Sequence, residues 1–204
     1  MRLFRPVGLQ ELALLWDSGM REFPPRLAHQ PIFYPVANLE YAQQIAREWN
    51  TKEPTAAGYV TQFDITDSHI NAFEPRVAGT SQHVEFWIPA EELSEFNSAI
   101  QGMVHVDQGF FGSEFKGWIG NQFNLRGKDA VSQLIMLVNL WEYNRVDFAL
   151  EVTLNRKTVY LNFLFWKQFD FREHGIGQEQ QNVAIQNIVR AWSFSPFDIP
   201  LPGN

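Results

Sequence analysis

The sequence predicts an α+β protein, because three kinds of pattern alternate along it. There are period-two stretches such as Tyr59–Ile65 and His83–Ile88, helical stripes such as Leu39–Trp49 and Gln178–Trp192, and an irregular break at Gly109–Gly120. The break holds four glycines in twelve residues, which predicts two domains, 1–110 and 121–204. With 45% hydrophobic and 19% charged residues, the 204-residue chain carries enough apolar side chain for one large or two small cores.

The first domain reads as a mixed sheet with helices. Leu3–Val7 is a short strand, and Gly8 breaks it. Leu9–Ser18 then forms a helix with Leu12, Leu15 and Trp16 on one stripe, ended by Gly19. Phe23–Pro35 is a shaped loop, since its prolines remove donors and bias their predecessors away from helix. Asn38 caps a helix over Leu39–Trp49, with Arg47 near its C-terminal end. Tyr59, Thr61, Phe63 and Ile65 form the apolar face of a strand, His83–Ile88 forms another, Pro89 opens a helix, and Met103–Val106 closes the domain as a last strand.

The second domain reads as helix, hairpin, helix. Lys128–Tyr143 carries Val131, Leu134, Val138 and Trp141 on one stripe. Val146–Leu154 and Thr158–Trp166 read as two strands around Asn155-Arg156-Lys157, and Gln178–Trp192 as a covering helix. Glu173-His174, before Gly175, reads as a surface loop.

Composition excludes several classes. A formal charge of −7 without clustered Lys or Arg argues against general nucleic-acid backbone binding. The absence of cysteine rules out disulfides and thiolate metal sites, and the five histidines show no ligand spacing, so no metal is expected. The N-terminus lacks the apolar core of a signal peptide, and Leu134–Val138 is too short to span a bilayer, so the expectation is a soluble, cytoplasmic protein without a membrane partner. Aromatic residues make 15% of the chain, and most of them must be core.

The stretch His83–Pro89 carries the chemistry. Strand alternation places His83, Glu85 and Trp87 on one face and Val84, Phe86 and Ile88 on the other. A carboxylate then stands beside an imidazole and an indole, pointing to a cleft or to solvent. The bland reading is an edge strand whose polar face is wet.

Phe4-Arg5-Pro6-Val7-Gly8, Phe23-Pro24-Pro25-Arg26, Pro31–Val36, Gly58-Tyr59-Val60-Thr61 and Glu85–Ala90 resemble small bacterial proteins labelled ADP-ribosylation/crystallin type, over roughly residues 1–110. ADP-ribosylglycohydrolases, which are all-helical with paired aspartates for magnesium, do not fit the sheet-like segments or the lack of an Asp-Asp motif. ADP-ribosyltransferases fit better. That resemblance implies NAD as substrate, with Glu85 on a later strand stabilising the ribosyl cation. It implies Arg5 on an early strand gripping pyrophosphate, Tyr59 or Tyr34 stacking on nicotinamide, and Thr61 standing where one branch has Ser. His83 occupies the position where many members carry Glu or Gln. The alternative from a different class is a non-catalytic nucleotide- or protein-binding module.

Overall fold

A computed structural model describes residues 1–79, 83–194 and 198–203. The chain divides between Ser113 and Glu114, inside the glycine-rich break, into units Met1–Ser113 and Glu114–Asn204.

In the first unit β1 (Arg2–Gly8) leads into α1 (Leu9–Asp17), then β2 (Ile32–Phe33), α2 (Leu39–Glu48), β3 (Ala57–Ile65) and the short α3 (Asp67–Ile70). β4 (Pro75–Val77), β5 (Val84–Phe86), β6 (Ile88–Pro89), α4 (Leu93–Ser98) and β7 (Ile100–Phe111) follow. β3 lies between β1 and β7. The other side of β1 meets Val36, whose N–H and C=O exchange hydrogen bonds with Phe4 at 2.8 and 2.9 Å, and Val36 in turn stands opposite Glu85. β2 against β6, and Val36 against Glu85, share one antiparallel register, with Tyr34 and Trp87 facing each other where the ladder is interrupted. Residues 32–37 therefore act as one interrupted strand joining β1 to β5, and β4 lies beyond β5.

Two expectations for this unit are corrected and one is refined. Among the described residues every strand pairing in this unit is antiparallel, in place of a mixed sheet. Pro89 pairs with Ile32 as the last residue of β6, where a missing donor costs little at a strand end, and it also caps the helical segment expected there, a 3-10 turn over Ala90–Glu92 that runs into α4 at Leu93. The last strand is not four residues long, because it runs from Ile100 through Gly109 to Phe111.

The sheet is covered on both faces. On one, α1 and α4 pack with Leu3 and with the four phenylalanines Phe23, Phe33, Phe63 and Phe96, and the rings of these four meet at centroid distances of 4.8 to 6.0 Å. On the other, α2 packs on Val36 and Val60 with Phe4 and Phe110. Gly58 makes that approach feasible: a Cβ there would lie 2.1 Å from the carbonyl oxygen of Ala46 on α2. Asn38 caps α2 as expected, its side chain accepting from the backbone N–H groups of Glu40 and Tyr41.

The second unit is helical: α5 (Ala130–Tyr143), α6 (Arg145–Leu154), α7 (Arg156–Gln168) and α8 (Gln178–Ser193). The expected hairpin is thus a helix pair, and the reason lies in the residues. Val146, Phe148, Leu150, Val152 and Leu154 alternate, but the same positions are two interleaved i, i+4 series. Phe148 and Val152 are buried, whereas Val146, Leu150 and Leu154 are exposed on the outer side of α6. Asn144 is the signal missed: its side chain accepts from Val146 and Asp147 N–H groups and starts the helix. Thr158–Trp166 is nearly all apolar because α7 is buried on all sides, a pattern in which period carries no information. Asn162 on α7 is fully satisfied by Trp118 and Gln133, and Gly117, at φ +78, leaves room for it, since a Cβ would meet its Oδ1 at 2.6 Å. Glu173 and His174 lie in an exposed turn before Gly175.

Candidate functional site

Glu85 sits in the middle of β5, half-buried, on the face covered by α2. That face follows from pairing: Phe4, Val36 and Glu85 are directly opposite one another on adjacent strands, and residues so paired project to the same side. The Tyr41 hydroxyl, from the first turn of α2, donates to Glu85 Oε1 at 2.7 Å, and the Trp87 indole N–H donates to Oε2 at 2.9 Å. Burial, and then the hydrogen bond to Glu85, push the Tyr41 phenol above its ordinary range, so it stays a donor.

His83 lies flat on the Tyr41 ring at 4.1 Å between centroids, with Nδ1 3.2 Å from the Ala78 carbonyl oxygen. Arg76, paired with Glu85 in register, places its guanidinium 4.2 Å over the Trp87 ring, and Tyr34 meets that ring edge-on at 5.6 Å. The alternation expected for His83–Ile88 therefore assembles Glu85, His83 and Trp87 as a group. Trp87 is 39% exposed, while Phe86 and Ile88 are buried on the opposite face.

Arg5 belongs to that opposite face. It pairs in register with Thr61 and lies 5.0 Å over the ring of Phe33, in the core under α1. Its Nε and Nη2 each donate to a Glu11 carboxylate oxygen at 3.2 Å, and Nη1 donates to the Tyr34 carbonyl at 3.1 Å. Thr61 is fully buried, and its hydroxyl donates to the Arg5 carbonyl at 2.7 Å, a bond that ties β3 to β1. Tyr59 is 1% exposed, and burial raises its phenol pKa far above the ordinary value. Neither Tyr59 nor Thr61 presents a surface on which a nicotinamide ring can lie.

Of the six residues singled out in the sequence, the structure brings together Glu85, His83 and Tyr34, and sets Arg5, Thr61 and Tyr59 on the other side of the sheet. Sequence reasoning missed Tyr41, Arg76, Glu11 and Arg26. Tyr41 lies within the helix expected over Leu39–Trp49, but its contact with Glu85 spans 44 positions. Arg26 was legible only within a proline-rich loop. Among the described residues no group of three or more side chains assembles as a metal site, and no helix is long and apolar enough to cross a membrane. Comparison with family models, with curated proteins and with solved structures finds no match.

Proposed function

We propose that the first unit is a non-catalytic binding module that recognises a partner chain through Trp87, Arg76, Tyr34 and His83. One observation carries this reading: both oxygens of Glu85 are engaged internally, one by Tyr41 and one by Trp87, so the carboxylate holds the indole in place. Trp, Tyr and Arg are the side chains that dominate binding energy at protein interfaces. Here they are oriented beforehand by stacking and hydrogen bonding, which lowers the entropy lost on association. The chain's net charge of −7 disfavours a phosphate-rich partner.

The competing reading is an NAD-cleaving transferase, and a specific geometry favours it: two donors fix Glu85 half-buried, as a carboxylate facing a ribosyl cation would need to be. Nicotinamide release from NAD separates the two. Neither wild type nor Glu85→Gln is expected to release it above the rate in buffer. Release by the wild type that is lost in Glu85→Gln would overturn the binding-module reading. In the positive arm, peptides selected from a random library on wild-type protein are expected to bind at least tenfold more weakly to Trp87→Ala, and undiminished binding would remove Trp87 from the recognition face.

A further inference from the structure

We infer that Arg26 is the binding group of a second site, on the α1 face of the first unit, for a ligand oxyanion of the carboxylate or phosphate type. The starting point is a charge imbalance under cover. The side chains of Arg5, Arg26 and Glu11 are 12%, 8% and 19% exposed, and the single carboxylate faces both guanidinium groups. Glu11 is committed to Arg5 through two hydrogen bonds, leaving Arg26 Nη1 at 3.5 Å from Oε1, too long for a good charge-assisted bond. Glu11 also stands in the first turn of α1, and the N-terminal end of a helix adds positive potential of its own.

A covered cation without a full complement of acceptors is costly, and Arg26 shows this in its bonding. Its Nε is buried and has no acceptor among the described residues. Nη2, on the same edge of the guanidinium, donates among the described residues to the amide oxygen of Gln30 at 3.2 Å. Gln30 is exposed, in the loop before β2, and it is neutral. The Nε–Nη2 edge is the fork that takes two coplanar anionic oxygens, and it is held here at one tip by a replaceable side chain. Gln30 turning outward admits an oxyanion that supplies the second acceptor and the missing negative charge. Arg5 cannot serve in the same way, because Glu11 and the Tyr34 carbonyl occupy all three of its nitrogens. The site lies on the other side of the sheet from Trp87, so its failure and the failure of the partner-binding reading are independent.

The test is an NMR titration of the arginine Nε–H signals of the full chain with inorganic phosphate and, separately, with acetate, against sodium chloride at matched ionic strength. The Arg26 signal, assigned through its own side-chain bonds, is expected to shift saturably with at least one oxyanion and not with chloride, while that of exposed Arg172 stays in place. Phosphate alone would identify a phosphate group, acetate alone a carboxylate. In a second arm, the oxyanion is expected to raise Tm of the wild type and to need at least tenfold higher concentration to do so in Arg26→Gln. An Arg26 signal that follows only ionic strength overturns the proposal, and this result is read from the wild type even where the variant fails to fold.

Discussion

On the α2 side of the sheet one carboxylate, Glu85, accepts two hydrogen bonds from neutral aromatic donors, whereas on the α1 side one carboxylate, Glu11, accepts from Arg5 and faces Arg26. The two groups are separated by the thickness of a single sheet, and strand alternation assigns each residue to its side. Both carboxylates are partly covered, and the difference lies in the solvation of their partners. Glu85 is half-buried beside an exposed indole, and polar contacts with water remain within reach of that surface. Glu11 and its two guanidinium groups are mostly covered, so each charge depends on the others. The first arrangement suits a preorganised surface, the second a covered cluster in which two cations share one carboxylate.

Removing one charge from each side sharpens that contrast. Glu11→Gln strands two covered guanidinium groups and is expected to cost about 3 kcal/mol, while Glu85→Gln keeps one acceptor and is expected to cost about 1 kcal/mol, both read as shifts of the urea midpoint. Equal losses would break the comparison. Gly58→Ala tests the seat of α2: with Ala46 backbone in the way, a loss of about 2 to 3 kcal/mol is expected from overpacking. Tyr41→Phe removes the donor to Glu85 at a cost of about 1 kcal/mol. The same variant is expected to leave the phenolate absorbance that grows in near pH 10 unchanged, because burial and Glu85 keep the Tyr41 phenol neutral there.

The smallest effect is expected at an exposed pair in the second unit, Asp170 with Arg172. Hydrogen bonds from Arg172 lower the Asp170 carboxyl from its ordinary 3.8 to about 2. A depressed carboxylate contributes stability above its unfolded-state value and loses that contribution as pH falls through the folded one. Asp170→Asn should therefore leave the pH dependence of Tm unchanged above pH 4 and flatten it slightly between about 4 and 2.

What the sequence revealed follows from how local each interaction is. Asn38 capping α2, and Glu85, His83 and Trp87 sharing a face, depend on neighbours within a few positions, and both were readable. Whether Arg5 and Glu85 share a face depends on register passed from β1 through Val36 to β5, which the local pattern does not encode. In the second unit, Val146–Leu154 satisfied both a strand and a helix pattern, and α7 was too uniformly apolar to show either. The polar signals that resolve them, Asn144 as a cap and Asn162 inside the core, carry meaning only once a helix is assumed.

The most direct measurement is a pair of double-mutant cycles in urea, one on Arg5 with Glu11 and one on Arg5 with Glu85, using Arg5→Met, Glu11→Gln and Glu85→Gln. With the charges divided by the sheet, Arg5 and Glu11 should couple by about 1 to 3 kcal/mol, and Arg5 and Glu85 should be additive within about 0.5 kcal/mol. Strong coupling between Arg5 and Glu85, with little between Arg5 and Glu11, would contradict the division of the two groups and return Arg5 and Glu85 to a single site.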